Sequence, residues 1–236
     1  MTGAALSIAF FDPARSVHGT ARSGTTVLFE GQSPTAIPEG PEIESGRRGK
    51  LKAELEGRFS LEVDPISEEL DLGGVLARTC HVSGDVGGTH VDCLGTVSET
   101  TVAPEWEELD ALRSLSALLD DEHAMLALAR RPRGARGHDE EAVKAFLIDG
   151  GEPLAVEDAR ISTVYDGEGR QRSAGLELWL PGEDFPRRGS GTVAAGSSLE
   201  LEGLTVHVAV FEWRVEGREG VGAYELMVRD DPSAAA

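Results

Sequence analysis

Two acidic side chains near the carboxyl-terminal end of the printed sequence are the residues best placed to do chemistry. Glu212 and Glu225 lie in two runs of alternating apolar and polar residues, separated by a glycine-containing turn. If Arg218 and Glu219 form a two-residue loop, Glu212 faces Glu225 across the hairpin. Two buried carboxylates in contact do not both ionise easily, so one of them stays protonated near neutral pH. The pair therefore predicts a general acid that protonates an alkene or polarises a carbonyl.

Aromatic side chains surround this pair in the predicted hairpin. Phe211 and Trp213 alternate with Glu212 and Arg214, and with the same loop Trp213 lies opposite Tyr224. Such a frame predicts a ligand cavity with six candidate ligand-binding residues: Trp179, Trp213, Tyr224, Tyr165, Phe211 and Arg214. The alternative is that the aromatic residues are ordinary core and that the acidic face is solvated or neutralised by Arg214.

Histidines supply two further candidate sites. His123 follows three acidic residues at a predicted turn, where it is a candidate acid or base at a barrel mouth; turns also favour such residues for structural reasons. His81, His90 and Asp92 share one face of a predicted hairpin but lack a diagnostic ligand spacing and a fourth ligand, so we predict no metal site. The sequence contains no glycine-rich phosphate loop or nucleophile elbow, and we expect no cofactor.

These residues must be positioned by short antiparallel strands. Alternating patterns and turn residues predict strands within 6–11, 17–31, 50–63, 75–98, 113–129, 142–148, 152–165, 171–181 and 192–228. Residues 32–49 are predicted as an exposed loop because they hold three prolines and several glycines. The only plausible helix spans 104–112, where Pro104 lies in the first turn and Trp106, Leu109 and Leu112 repeat every three residues. Extension of this helix to Leu119 is the alternative to a hairpin over 113–129 with its turn at 121–122, which we favour. The 75–98 segment is a predicted hairpin with its turn at 86–87 or 87–88, and either turn places Cys80 and Cys93 on one face. The two cysteines form either a disulfide or two small core residues. A reducing compartment favours the core residues.

The strand pattern predicts a twofold organisation of the chain. Residues 6–100 and 113–229 each hold several short strands, and each half ends with a glycine-turned hairpin. Strands joined by local turns favour antiparallel sheets that close into barrels or pack as sandwiches. We therefore predict an all-β protein with two β-domains packed together, at 1–103 and 104–236. The second includes a linking helix at 104–112 and a disordered tail at 230–236.

The second half resembles a known family. The stretches RRPRGARGHDEE, ISTVYDGEGRQRSAGLELWL and FEWRVEGREGVGAYEL are similar to those of hydroxyneurosporene synthase-like proteins. That group belongs to the two-barrel lipocalin-like superfamily, with carotenoid 1,2-hydratases and tocopherol cyclases, and the similarity is best over 110–229. It implies two lipocalin-like barrels with a cavity for a hydrophobic isoprenoid- or lipid-like molecule. The expected function is a hydratase- or cyclase-type enzyme that uses a protonated carboxylic acid, or a non-catalytic lipocalin-like carrier.

Composition narrows the class of partner. The 236 residues carry a formal net charge of −20, which disfavours nucleic acids and anionic membranes as partners. No stretch approaches the roughly 18 apolar residues needed to span a bilayer. The first residues lack the basic region of a signal peptide, so we expect a cytoplasmic protein whose partner is a hydrophobic small molecule.

Overall fold

Nearly all of the chain forms β-strands. The structure, a computed structural model, describes residues 5–137 and 140–229. The described residues contain no α-helix, and a 3-10 turn lies at Arg47–Gly49. No helix in this part of the chain is long and apolar enough to cross a membrane. The predicted tail, 230–236, lies outside the described residues.

The first half forms one antiparallel sheet. Its ten strands are β1 (Ala5–Asp12), β2 (Val17–Arg22), β3 (Thr25–Glu30), β4 (Ser33–Ile37), β5 (Glu42–Ser45), β6 (Leu51–Leu55), β7 (Phe59–Pro65), β8 (Leu70–Asp71), β9 (Val75–Val86) and β10 (Thr89–Thr100). They lie in the order β4-β3-β2-β1-β10-β9-β7-β6-β5, with β8 paired to β9.

The second half forms a separate antiparallel sheet of nine strands. These are β11 (Leu109–Asp120), β12 (His123–Pro132), β13 (Ala142–Asp149), β14 (Glu152–Ala155), β15 (Asp158–Tyr165), β16 (Gln171–Trp179), β17 (Arg187–Leu201), β18 (Leu204–Val215) and β19 (Arg218–Arg229). Their order is β14-β13-β12-β11-β19-β18-β17-β16-β15. In both sheets the first strand of the half lies beside the last, and the other strands follow in sequence order on either side. The two sheets are curled half-barrels, so the predicted all-β, two-barrel architecture is confirmed.

The predicted helix at 104–112 is wrong. Residues 106–108 form a turn, in which the Glu108 amide donates to the Glu105 carbonyl at 2.8 Å, and β11 begins at Leu109. Leu109 and Leu112 are both buried, because β11 is covered on both faces. A strand that is buried on both faces does not alternate between apolar and polar residues. Its apolar residues can therefore also match the three-residue spacing of a helix, and this match led to the wrong helix prediction.

Two other element predictions need correction. The predicted loop at 32–49 contains two edge strands, β4 and β5, and the predicted strand at 152–165 is broken into β14 and β15. The predicted hairpin of β11 and β12 is present, with Asp120 paired to His123 around the turn.

Buried apolar residues form three clusters. One fills the interior of the first half-barrel and includes Phe10 and Phe59. Another fills the interior of the second half-barrel and includes Trp213 and Tyr224. The third, which we call the shared layer, lies between the two sheets and takes residues from both: among them are Phe11, Phe29, Leu118, Val208 and Val221. The two half-barrels are therefore packed against each other through the outer faces of their sheets.

Candidate functional site

Glu212 and Glu225 do not face each other. The β18–β19 loop is Glu216-Gly217, not Arg218-Glu219, so Glu212 pairs with Val221 and Glu225 pairs with Val208. Both loop residues have positive φ, 49° and 86°, as a type I′ turn requires. The carboxylates share one face of the sheet but lie four residues apart along it, about 13 Å. The predicted carboxylate pair is therefore wrong.

Glu225 instead pairs with an arginine of the other half-barrel. Arg22 of β2 donates from Nη1 to Oε1 at 2.7 Å and from Nη2 to Oε2 at 2.8 Å. The two side chains are largely buried, with exposed fractions of 20% and 13%. A carboxylate held in this bidentate way is a hydrogen-bond acceptor in an ion pair, which does not suit it to donate a proton.

Glu212 lines the edge of a large crevice at the junction of the half-barrels. The crevice has a volume of about 1120 Å³ and lies between the β1–β2 turn and β10 on one side and strands β11 and β15 to β19 on the other. Apolar side chains from both sheets contribute to its walls: Phe11, Leu94, Leu118, Val164 and Val221. Trp213 and Arg214 also line it, and Arg214 forms an exposed ion pair with Glu219 at 2.9 Å.

A buried carboxylate closes one end of this crevice. Asp12 is 1% exposed, and its Oδ1 accepts a hydrogen bond from the Arg15 amide at 3.0 Å. The Arg15 guanidinium donates to Oδ2 at 2.9 Å, and the Asp92 amide donates to the same oxygen at 3.4 Å. Asp12 therefore fixes the β1–β2 turn and ties it to β10.

A second, smaller void lies between the two sheets, further along the same strands, with the exposed Ser114 at its rim. This inner cavity has a volume of about 150 Å³ and is bordered by the Arg22–Glu225 ion pair. Its lining mixes aliphatic side chains with seven hydroxyl-bearing residues: Ser7, Thr20, Thr96, Ser98, Thr100, Ser114 and Ser116. The inner cavity is thus more polar than a typical protein interior.

Three of the predicted ligand-binding aromatic residues pack together inside the second half-barrel. The Phe211 ring lies 5.5 Å from the Trp213 ring and 5.4 Å from the Tyr224 ring. Burial raises the pKa of Tyr224 to about 12, although nearby Arg113 opposes the shift. The Tyr224 hydroxyl lies 2.6 Å from the Thr163 hydroxyl.

The other two predicted aromatic residues are less buried than this group. Tyr165 packs against the edge of the same core, partly buried. Trp179 lies beneath the guanidinium of Arg160, 5.0 Å from its ring centre.

A buried ion-pair network adjoins this aromatic core and was missed from the sequence. The Arg113 side chain is 1% exposed and donates to Glu141, whose side chain is fully buried. Glu141 also accepts from Arg131 Nε at 2.8 Å, and Arg113 donates to the Tyr224 hydroxyl at 3.2 Å. The only available signal was an arginine amid apolar residues in the 109–120 segment.

His123 lies between two carboxylates. Its Nδ1 is 2.6 Å from Asp120 and its Nε2 is 3.3 Å from Asp149. It lines neither the crevice nor the inner cavity. His81 contacts Asp121 of the other half-barrel at 3.2 Å. No group of three or more potential ligands within 5–137 and 140–229 is arranged to hold a metal ion.

The two cysteines are free thiols. The β9–β10 loop is Gly87-Gly88, so Cys80 lies opposite Gly95 and Cys93 lies opposite Val82. Both belong to the interior cluster of the first half-barrel, and burial raises the pKa of each thiol to about 12. Neither thiol is suited to act as a nucleophile.

Comparison with known proteins finds similarity at the level of structure only. No protein-family model matches the sequence, and no curated protein matches it. A crystal structure of a Nitrosomonas europaea protein provisionally named AttH superposes with a TM-score of 0.68 at 13% identity, over 94% of this chain and 91% of that one. Kievitone hydratase from Nectria haematococca superposes with a TM-score of 0.61 at 12% identity, over 96% and 89% of the two chains. At these identities the similarity establishes the fold alone, and the resemblance to hydroxyneurosporene synthase-like proteins stays a prediction. The chain has the two-half-barrel, lipocalin-like fold that these proteins share.

Proposed function

We propose that the protein binds a hydrophobic isoprenoid- or lipid-like small molecule in the crevice at the junction of the two half-barrels. The observation that carries this proposal is the crevice itself, about 1120 Å³ in volume with apolar side chains on both walls. Sites for small molecules are typically concave and mostly apolar, with a few polar groups that orient the ligand.

The crevice suits such a ligand better than the interior of the second half-barrel. Inside that half-barrel Phe211 and Tyr224 are fully buried and their rings pack together, 5.4 Å apart. A ligand there would have to displace close-packed side chains. At the crevice, Leu94 from one sheet is partly buried and Val164 from the other is 60% exposed, so both border open volume.

Catalysis of the hydratase type is the second candidate function. It is supported by the similarity of fold to kievitone hydratase and by Glu212, an exposed carboxylate on the crevice wall. A carboxylate there is placed to act as a general acid or base on a bound molecule. In a non-catalytic carrier, Glu212 would only contribute polarity to the rim. Fold similarity carries no chemistry by itself, so a variant must distinguish the two functions.

The binding proposal is tested with native mass spectrometry and calorimetry. We expect a co-purifying apolar molecule, recovered by organic extraction, and measurable binding of 1-dodecanol. Val164→Glu places a charge on the crevice wall and should weaken dodecanol binding at least tenfold. Val102→Glu is the matched control, because Val102 is 63% exposed, Val164 is 60% exposed, and Val102 lies outside the crevice.

The outcomes separate the candidates. A protein that neither carries an apolar molecule nor binds dodecanol would contradict the binding proposal. If the extracted molecule is converted to a product heavier by one water, Glu212→Gln should abolish conversion and preserve binding. If the wild type binds the extracted molecule but does not convert it, the result favours the carrier function.

A further inference from the structure

The crevice and the inner cavity lie on the same faces of the same strands. On four central strands the lining passes from one void to the other within a single two-residue step. The steps are Phe11 to Ala9 on β1, Leu94 to Thr96 on β10, Leu118 to Ser116 on β11, and Val221 to Ala223 on β19. Residues two apart on a strand project from the same face, so the two voids are neighbours.

One layer of side chains separates them. Phe11 and Leu94 are directly opposite each other in the first sheet, and Leu118 and Val221 are directly opposite each other in the second. All four pack in the shared layer. We call these two cross-strand pairs the partition. Because a two-residue step along a strand is about 7 Å, the partition is one side chain thick.

Beyond the partition the environment becomes polar. Along β19, Glu225 lies four residues past Val221, about 13 Å further along the strand. Its partner Arg22 has five N–H donors, and the bidentate pair with Glu225 occupies two of them. Hydroxyl groups such as those of Thr96 and Ser98 line the approach.

We propose that the crevice and the inner cavity are two parts of one binding site, and that its ligand is an elongated amphiphile. The apolar body lies in the crevice, and a hydroxyl- or carbonyl-bearing end passes the partition to meet the hydroxyl groups and the Arg22–Glu225 pair. This rests on the proposed function and adds the ligand class and the direction in which the ligand lies. The partition then selects for a narrow chain, since it has to pass between two opposed sheets.

The first test fills the inner cavity and leaves the crevice unchanged. Thr96→Leu adds volume at a cavity-lining position, and Thr35→Leu is the same substitution at an exposed position of β4. Calorimetric titration with 1-dodecanol should show binding weakened at least tenfold by Thr96→Leu and unchanged by Thr35→Leu. Ser98→Leu serves the same purpose if Thr96→Leu does not fold.

The second test establishes which end of the ligand enters. Dodecyl methyl ether has the chain of 1-dodecanol but lacks the hydroxyl donor. If the oxygen-bearing end is inside, the wild type should bind the ether at least threefold more weakly. An outward-facing oxygen would leave the ether bound equally or more tightly, because the added methyl group is apolar; that result would overturn the inferred direction.

The third test addresses the partition. Leu94→Ala removes one of its four side chains, and stopped-flow measurements should show dodecanol associating at least threefold faster. An unchanged association rate would contradict passage through the partition.

Failure of this inference is distinguishable from failure of the proposed function. Suppose that Val164→Glu weakens dodecanol binding but Thr96→Leu leaves it within twofold of wild type. That result would overturn only the proposal that the crevice and the inner cavity form one site. If neither the wild type nor any variant binds dodecanol, both proposals are wrong.

Discussion

His18 is a buried histidine that makes folding sensitive to pH. It lies on β2 opposite Phe11, is 6% exposed, and its Nδ1 has no hydrogen-bond partner among the described residues. Burial lowers its pKa from the usual value of 6.5, although the charge of Asp12 opposes the shift. The neutral imidazole is therefore the form that the folded protein prefers.

We expect His18→Leu to reduce the loss of stability in mild acid. Since the folded-state pKa is lowered, the unfolded chain takes up its proton first, and stability falls as the pH drops below 6.5. One such histidine contributes at most about 1.4 kcal/mol per pH unit. Urea denaturation at pH 7.5 and 5.5 should show a smaller difference in the His18→Leu variant than in wild type. His90→Leu, at an exposed histidine, is the control, and an unchanged difference in the His18→Leu variant would contradict the explanation.

The residues that matter most at the junction of the half-barrels left little trace in the sequence. Arg22 and Glu225 are 203 residues apart, and no local pattern connects them. Glu212 was identified as a candidate because alternation places it among aromatic residues, and the structure does put it on the crevice wall. Periodicity therefore indicated the face on which a side chain lies, whereas its partner depends on how the two sheets pack.

The final hairpin illustrates the same limit for whole elements. Its two strands and the face of each residue agree with the alternation of the sequence, but the loop begins two residues earlier than expected. That choice of loop moves every cross-strand partner by four residues. Because four is an even number, no side chain changes face, and only the pairing is altered. The sequence pattern thus predicts well which face of the sheet each side chain lies on. It predicts strand register poorly where more than one glycine-containing position could form the turn.

Close approach of β19 to β11 gives a prediction for this hairpin. A methyl group added at Gly222 would collide with the Ser116 carbonyl, and the Ser116 hydroxyl accepts a hydrogen bond from the Ala223 amide at 2.9 Å. Gly222→Ala should therefore destabilise the protein by about 1–3 kcal/mol in urea denaturation.

Gly167→Ala is the matched control for this substitution. Gly167 lies in an exposed turn with open space around it, and its variant should stay within about 0.5 kcal/mol of wild type. Equal stability of the two variants would mean that β19 has room to move away from β11.

The two half-barrels depend on each other through the shared layer. Each sheet presents an apolar outer face, including Phe29 on one side and Val208 on the other, that is buried only when the halves are together. The predicted domain division at 103/104 falls between the two sheets and stays a prediction as a folding boundary. A single half would expose this face to water, at a cost of about 25 cal/mol per Å² of apolar surface.

We expect neither half to fold stably alone. Fragments 1–103 and 104–236 produced separately should lack a cooperative thermal transition by circular dichroism, and the same fragments produced together should co-purify as one complex. The intact chain is the control for both measurements. A cooperative transition in either isolated fragment would show that its interior core is sufficient.

The position of the crevice between two mutually dependent halves links ligand affinity to thermal stability. A molecule held there binds only the docked, folded chain, so its binding free energy adds to the free energy of unfolding. At a free concentration one hundred times its Kd, the gain is about 2.7 kcal/mol. A rise in melting temperature across a library of lipids would therefore rank ligands by affinity before any reaction is known.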